Sequence, residues 1–281
     1  MRPSERLTVG FLAALAALAA AGTPRDPPAL ALFVALAAAT VLLARARSGP
    51  LRAVRDFFPV AVVLGVFLVL EPVIAGVNPR RWDAFFAAWD ARWLGTLVPA
   101  WRGAFGRAPA VVDAVYLAYL SYYAIPIAVA LIARRRGPEA FERTVFAILL
   151  AFYASYVGYF LYPTSGPRVP SADEARLLGG GAVSDLVRAF LRDAEKTRLD
   201  AFPSGHTAVT LVCAAAGARL SPRAAVALVA WALAIVFSTV YIHVHYAVDV
   251  LAGAVLAAVV ASTAGAVARA LATLGAPREA L

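Results

Sequence analysis

The 281 residues are 62% hydrophobic and carry a formal charge of +9, an apolar share well above the roughly 45–50% of soluble domains. That balance excludes an ordinary soluble domain and describes an integral membrane protein. The single cysteine, Cys213, excludes an intramolecular disulfide, and the positive charge is almost wholly Arg, since Lys196 is the only lysine.

Apolar runs long enough to cross a bilayer, about 17 to 25 residues, lie near 7–22, 28–44, 57–75, 111–133, 143–162, 204–219, 222–242 and 245–268. They predict an all-α, polytopic membrane helix bundle of about eight transmembrane helices. Successive connections alternate sides, so one side holds both termini and the loops 45–56, 134–142 and 219–223. Arg2, Arg6, Arg45, Arg47, Arg52, Arg55, Arg134, Arg135, Arg136, Arg143, Arg219, Arg223, Arg269 and Arg278 fall there, fourteen cations against five acids. The twelve remaining cations face twelve acids, so the whole net charge lies on one side, which the positive-inside rule makes cytoplasmic. The basicity encodes orientation, not nucleic-acid binding, and predicts a multi-pass cell membrane protein with both termini cytoplasmic. The first run, preceded by Arg2 and Arg6, reads as an uncleaved helix; a cleavable signal peptide is the other reading and leaves the later topology unchanged.

Two outer loops carry further signals. In 80–107, RRWDAFFAAWDARWLGTLVPAWRGAFGR, Trp82, Trp89 and Trp93 recur at seven and then four residues and share one helical face. That suits a helix lying in the outer interface, or an ordinary packed loop helix. In 163–203, Ser184 is placed to cap a helix whose Leu186, Val187, Phe190 and Leu191 form one apolar face, either a lid over a lipid site or an amphipathic helix resting on the bilayer. Tyr153, Tyr156, Tyr159 and Tyr162 recur every three residues on one helix, as do Tyr116, Tyr119 and Tyr122 on its predecessor. They read as the lining of a headgroup path or as interhelical packing with each hydroxyl hydrogen-bonded.

All three histidines, His206, His243 and His245, fall at outer boundaries, with Asp249 and Arg168 on the same side. An ionisable group inside a membrane is costly, so Asp249, within the last apolar run, needs a partner. His245 lies four residues earlier, one helical turn away on the same face, where the carboxylate can hold one imidazole nitrogen and leave the other as a lone-pair donor. That arrangement prepares a nucleophile or base. In AFPSGHTAVT, residues 201–210, Pro203 suits a helix start, Ser204 can cap or bind through its hydroxyl, and Gly205 admits close approach to the following amides. A helix N-terminus there presents N–H groups to an anion, and His206 in its first turn is placed to protonate a departing oxygen. Arg168, in YPTSGPR, adds a forked donor suited to phosphate oxygens. A zinc site from His243, His245 and Asp249 is disfavoured, because alternate helical residues point about 200° apart and paired helical histidine ligands take a spacing of four. A serine protease built on Ser204 and His245 is disfavoured by cationic and helix-terminal surroundings that suit phosphate.

PSGH at 203–206, followed by STVYIHVHYAVD at 238–249, resembles the phosphatidic acid phosphatase type 2 superfamily. That family's third motif runs Ser-Arg, five residues, His, three residues, Asp; Ser238, Thr239, His245 and Asp249 reproduce the spacing. The resemblance implies a six-helix core, with 1–109 as N-terminal transmembrane helices plus an outer interfacial helix and 110–281 as the catalytic lipid phosphatase/phosphotransferase core. It implies that His245 attacks phosphorus to form a phosphohistidine while Asp249 orients it. His206 then protonates the leaving oxygen and afterwards deprotonates the acceptor. Ser204, the Gly205 amide and Arg168 hold the nonbridging oxygens, with no metal or other cofactor. Two places depart from the family pattern: Leu161 stands where the first motif carries Lys, with Val169 after Arg168, and Thr239 stands where the phosphatases carry Arg. These absences resemble the subgroup around inositol phosphorylceramide synthase, whose third motif similarly reads Ser-Thr, Tyr and a final His-Tyr before the Asp.

A phosphomonoester dianion demands more positive charge than a singly charged phosphodiester. The poorer cradle therefore favours inositolphosphotransferase-like transfer of a phospho-headgroup from a membrane phospholipid donor to a lipid or alcohol acceptor, at the outer face of the membrane. Hydrolysis by water of a lipid phosphate or polyprenyl pyrophosphate is the alternative within the superfamily, and Arg80, Arg81 or Arg198 folding into the site would remove the preference. A lipid transporter that binds headgroups without transforming them is the alternative of a different class, but it has no need of a His–Asp pair beside a second His.

Overall fold

Pro3, Pro27, Pro109, Pro138 and Pro222 each open a helix, where the missing N–H forfeits no hydrogen bond and the fixed φ suits entry. The computed structural model describes residues 1–93, 95, 100, 103–168 and 173–273. Its helices are α1 (Pro3–Ala21), α2 (Pro27–Leu43), α3 (Gly49–Val77), α4 (Asp83–Trp93), α5 (Pro109–Leu120), α6 (Ile125–Arg135), α7 (Pro138–Leu161), α8 (Glu174–Leu178), α9 (Ala182–Ala194), α10 (Gly205–Leu220), α11 (Pro222–Tyr241) and α12 (Ala247–Thr273). Among the described residues there is no strand. In hydrocarbon the backbone must satisfy itself internally, and helices do so one by one.

The chain is an all-α polytopic bundle. α1, α3, α7, α11 and α12 are long and apolar enough to cross a membrane, and α5 with α6 makes a sixth span if the bent pair is one crossing. α2 is a shorter apolar helix, and the predicted run 204–219 forms the sixteen-residue α10, which is not among the helices long and apolar enough to cross a membrane by themselves. One run differs from expectation. Residues 111–133 do not form a single helix: α5 and α6 meet at 49° across a 3-10 turn at Ser121–Tyr123. Pro126 in the first turn of α6 explains the break, since it lacks an N–H and its ring collides with the carbonyl four residues back. The Trp231 indole donates to the Ser121 hydroxyl at 2.7 Å and pins the bend to α11.

α10 packs against α6, α7, α11 and α12, while α1 contacts α2, α3, α7 and α12. Leu12 and Leu15 of α1 are buried, Phe11 stacks on Tyr153, and the Thr8 and Tyr153 hydroxyls are 2.9 Å apart. At one end of the bundle Asp56 receives Arg2 at 2.7 Å and Arg134 at 2.8 Å, Arg55 pairs with Glu5, and Glu142 accepts from the Ser4 amide and hydroxyl. Arg6 donates to the carbonyls of Leu271 and Ala272 at the end of α12. The arginine-rich loops and the start of α1 therefore share one end, the basic face. The histidines occupy the other.

Candidate active site

Three chain segments converge on the histidine face. The first is the turn 162–168, shaped by Gly166, whose φ of +78° is left-handed and whose α-carbon lies so close to the Val244 carbonyl that no side chain fits. Beyond Arg168, Val169 lies outside the described residues. The second segment is the start of α10. Ser204 is its N-cap, with the hydroxyl accepting from the Thr207 amide at 3.2 Å and lying 3.1 Å from the Thr207 hydroxyl. Pro203 thus precedes the cap and does not open the helix. The third is the turn between α11 and α12, where the Val244 and His245 amides both donate to the Thr239 carbonyl.

The segments are stitched together by backbone contacts. The Ser204 amide donates to the Asp249 carbonyl at 3.0 Å, and Gly253, one turn along α12, lets that helix touch Ser204 and Thr207, where a Cβ would meet the Ser204 carbonyl. His245 precedes α12 and does not lie on it, because the helix begins at Ala247. Asp249 in the first turn reaches back to accept the Tyr246 amide at 2.9 Å, the carboxylate half of a capping box.

This geometry aligns the chemical groups. His245 is 1% exposed and Asp249 is fully buried. His245 Nδ1 sits 3.5 Å from Asp249 Oδ2, and its Nε2 sits 3.2 Å from Nδ1 of His206. With Nδ1–H turned to the carboxylate, Nε2 carries the lone pair and His206 Nδ1–H is its donor. The His206 ring rests between Tyr119 and Tyr122, centroids 4.8 and 4.3 Å away. Burial pulls the His245 imidazole down to about 4; Asp200 opposes that shift and Arg168 adds to it.

Arg168 is brought to the same end but arrives with partners. Its Nη2 is 2.8 Å from Asp200, its Nη1 is 3.7 Å from Glu195, and its Nε donates to the Ser165 carbonyl at 3.0 Å. Burial disfavours its charge, and the two carboxylates outweigh that and raise its pKa. Glu195 is pushed up by burial, with Arg168 opposing, and accepts from the Tyr119 hydroxyl at 2.7 Å. Sequence reasoning missed both acids. Asp200, three residues before Pro203, had its motif neighbourhood as a signal; Glu195, at the end of α9, had none.

Of the predicted phosphate cradle, Ser204 is fully buried and spends its lone pairs on Thr207. Gly205 packs closely on Tyr159, whose hydroxyl a Cβ at that position would meet. The Thr239 hydroxyl, where family phosphatases carry Arg, donates to the Val236 carbonyl at 2.8 Å. Of the three arginines that could alter the cradle, Arg80 covers the Trp82 ring and Arg81 bonds to neighbouring carbonyls. Arg198 alone approaches Arg168, lining with it, Arg188 and Arg192 an outer pocket of about 60 Å³ that also touches Glu195, His243 and Val244. His243, with a left-handed φ of 61°, belongs to that pocket.

α4 holds the site from outside. Asp83, Phe86 and Asp90 fall on one face at spacings of three and four. Asp83 accepts the Ser165 and Gly166 amides at 2.8 and 3.1 Å, Phe86 stacks on Phe202 with centroids 4.1 Å apart, and Asp90 accepts the Val248 and Ala247 amides at 2.9 and 3.2 Å. One helix therefore touches all three motif segments. The helix is packed on this face, while Trp93 and Phe85 on the other are 64% and 56% exposed.

α9 also differs from its predicted form. Gly181 is the N-cap and Ser184 is three residues inside, with the Gly181 and Ser184 amides both donating to Asp113 at 2.9 Å. The inward face is Ser184, Val187 and Arg188, while Leu186 and Phe190 are 72% and 52% exposed. The predicted apolar face was drawn one step round the helix because Arg188 is buried against Tyr116.

An apolar cavity of about 220 Å³ runs between α3, α6 and α7, from Asp56 near the basic face to His206, Glu195 and Asp200 at the other end. Tyr122, Tyr123, Tyr156 and Tyr159 line its upper part, and Tyr153 and Tyr156 bond to Thr8 and the Val63 carbonyl. The tyrosine stripes thus serve both packing and lining.

A model of the family described as the PAP2 superfamily matches residues 84–263, a span that begins in α4 and contains Arg168, Ser204, Gly205, His206, His245 and Asp249. No curated protein and no solved structure matches the chain.

Proposed function

This chain belongs to the PAP2 superfamily, and we propose that it transfers a phospho-headgroup from a membrane phospholipid to a lipid or alcohol acceptor through a phosphohistidine on His245. The carrying observation is the relay from Asp249 to His245 to His206, with separations of 3.5 and 3.2 Å. The His245 Nε2 lone pair forms the N–P bond while the P–O bond to the donor's lipid alcohol breaks, and His206 protonates the departing oxygen. Asp249 steadies the imidazolium charge that results. The acceptor hydroxyl then gives its proton to His206 and attacks phosphorus, and the N–P bond breaks to restore His245.

Support for a lipid comes from the apolar cavity that ends at His206, whose lining suits an apolar chain beside a phosphate at the histidines. Support for a diester comes from charge: Arg168 is balanced by Asp200 and Glu195, and Thr239 offers no cation. A singly charged phosphodiester suits such a cradle better than a dianion. The arginine-rich opposite face supports an active site on the outer side of the membrane, with both termini cytoplasmic.

A second reading, hydrolysis of a lipid monophosphate or diphosphate, is favoured by Arg192 and Arg198 beside Arg168 in the outer pocket. Purified protein is offered headgroup-labelled phosphatidylinositol with ceramide or diacylglycerol, and separately phosphatidic acid and a polyprenyl diphosphate. Label transferred to the acceptor supports the proposal; fast inorganic phosphate release from the latter two, with no transfer, replaces it by the second reading.

A further inference from the structure

A cavity of about 520 Å³ opens between α7, α10 and α12 on the basic face, far along α10 and α12 from His206 and Asp249. Arg143, Arg219 and Arg269 reach it from three different helices, and its wall includes the small residues Ala147, Ala216 and Gly265. All three arginines are exposed, and none has an ion pair or hydrogen bond among the described residues. Arg269 folds back along its own helix, since a Cβ on Gly265 would lie 3.6 Å from its Nη1.

The ordinary reasons for arginines at this end do not account for the convergence. Orientation in the membrane requires them on the correct side, not around one cavity. Cations also complement the carbonyl end of a helix, but at α12 the Leu271 and Ala272 carbonyls are already taken by Arg6. A bare phosphate needs far less space than this, whereas drug-sized and lipid ligands fill pockets of about 300–1,000 Å³. Basic pockets between transmembrane helices recognise anionic lipid headgroups.

We infer that this cavity binds an anionic phospholipid of the adjacent leaflet, with its phosphate among Arg143, Arg219 and Arg269 and an acyl chain along the small-residue wall. The site is separate from the histidines, so it stands or falls independently of the proposed reaction.

The test titrates the full-length, detergent-solubilised protein with phosphatidylglycerol and with phosphatidylcholine of identical chains, reading the thermal midpoint. Phosphatidylglycerol is expected to stabilise at about tenfold to hundredfold lower concentration. The combined variant Arg143→Gln, Arg219→Gln, Arg269→Gln loses that preference, and Gly265→Trp, which keeps the charges and fills the groove, weakens phosphatidylglycerol binding. Equal response of the wild type to both lipids overturns the inference without any variant. So does a preference that survives the triple substitution, or inorganic phosphate alone matching phosphatidylglycerol, which would mark a free-anion site.

Discussion

Nδ1 of His206 lies 3.2 Å from Nε2 of His245, too close for a phosphorus and its leaving oxygen to stand between them. Reacting atoms need about 3–3.5 Å, and a hydrogen bond to the leaving oxygen needs about 2.6–3.2 Å more. The proposed reaction therefore requires substrate entry to separate the two rings, with His206 leaving its place between Tyr119 and Tyr122. In the proposed reaction its duty is the proton, so the leaving group decides how much its loss matters in the first step. His206→Ala is expected to slow the first step from an alkyl diester by about 10²–10⁴-fold and to spare the first-turnover release of nitrophenol from an activated donor, which departs without protonation, while the second step, which needs His206 as base, stays slow for both. Equal first-step losses on the two donors would remove the acid role.

Asp249→Asn keeps an acceptor for the Tyr246 amide, so α12 retains its start. It loses the charge that faces His245 Nδ1 at 3.5 Å and that, in the proposed reaction, balances the imidazolium. Turnover is expected to fall by about 10²–10⁴-fold with a nearly unchanged thermal midpoint. His245→Ala abolishes turnover and the acid-labile phosphoprotein together, while a lipid transporter would keep moving lipid in that variant.

The buried His245 imidazole, held near 4 and not at its ordinary 6.5, sets the pH dependence. Between those values the unfolded chain binds a proton that the folded site refuses, so its stabilising contribution is full above 6.5 and lost as pH falls toward 4. As the proposed nucleophile, His245 stays neutral through the same window. The acid limb of kcat/KM is expected to centre closer to 4 than to 6.5, and a limb at 6.5 would show the ring to be solvated in solution.

Asp90 caps α12 from a different helix. Asp90→Ala leaves the Ala247 and Val248 amides without their acceptor and is expected to cost about 1 kcal/mol of stability. Because those amides adjoin the His245–Asp249 turn, kcat is expected to fall further than the midpoint shift explains. Circular dichroism melts alongside kinetics separate the two effects.

Ala130 lines the apolar cavity on α6, and Ala130→Trp fills it without touching the histidines. Excluding two methylenes, at about 0.8 kcal/mol each, raises KM for long-chain donors roughly tenfold. A short-chain soluble diester is expected to keep its wild-type KM.

The helical, membrane-spanning class was legible because eight apolar runs need nothing but their own length to declare themselves. His206, His245 and Asp249 were legible because polar groups are rare in such a chain, and their spacing survives folding. The bend at Ser121–Tyr123 was not legible, since a proline shortly after a tyrosine pair is compatible with a continuous span. Asp83 and Asp90 read as polar residues of a tryptophan helix; their partners are backbone amides 82 and 158 positions away, and amides leave no mark in a sequence. Arg188 broke the expected face of α9 because a buried guanidinium stacked on Tyr116 looks, in the one-letter code, like a solvated one.

By itself the sequence determined the class of protein, the end on which the positive charge lies and the candidate site residues His206, His245 and Asp249, since hydropathy and short-range spacing are local properties of the chain. Only the tertiary structure decided that Arg168 is balanced by Asp200 and Glu195, that Ser204 is engaged by Thr207 while Gly205 packs on Tyr159, and that an apolar cavity reaches His206. Those are questions of which distant groups share a dielectric and a hydrogen bond, and chain order does not encode them.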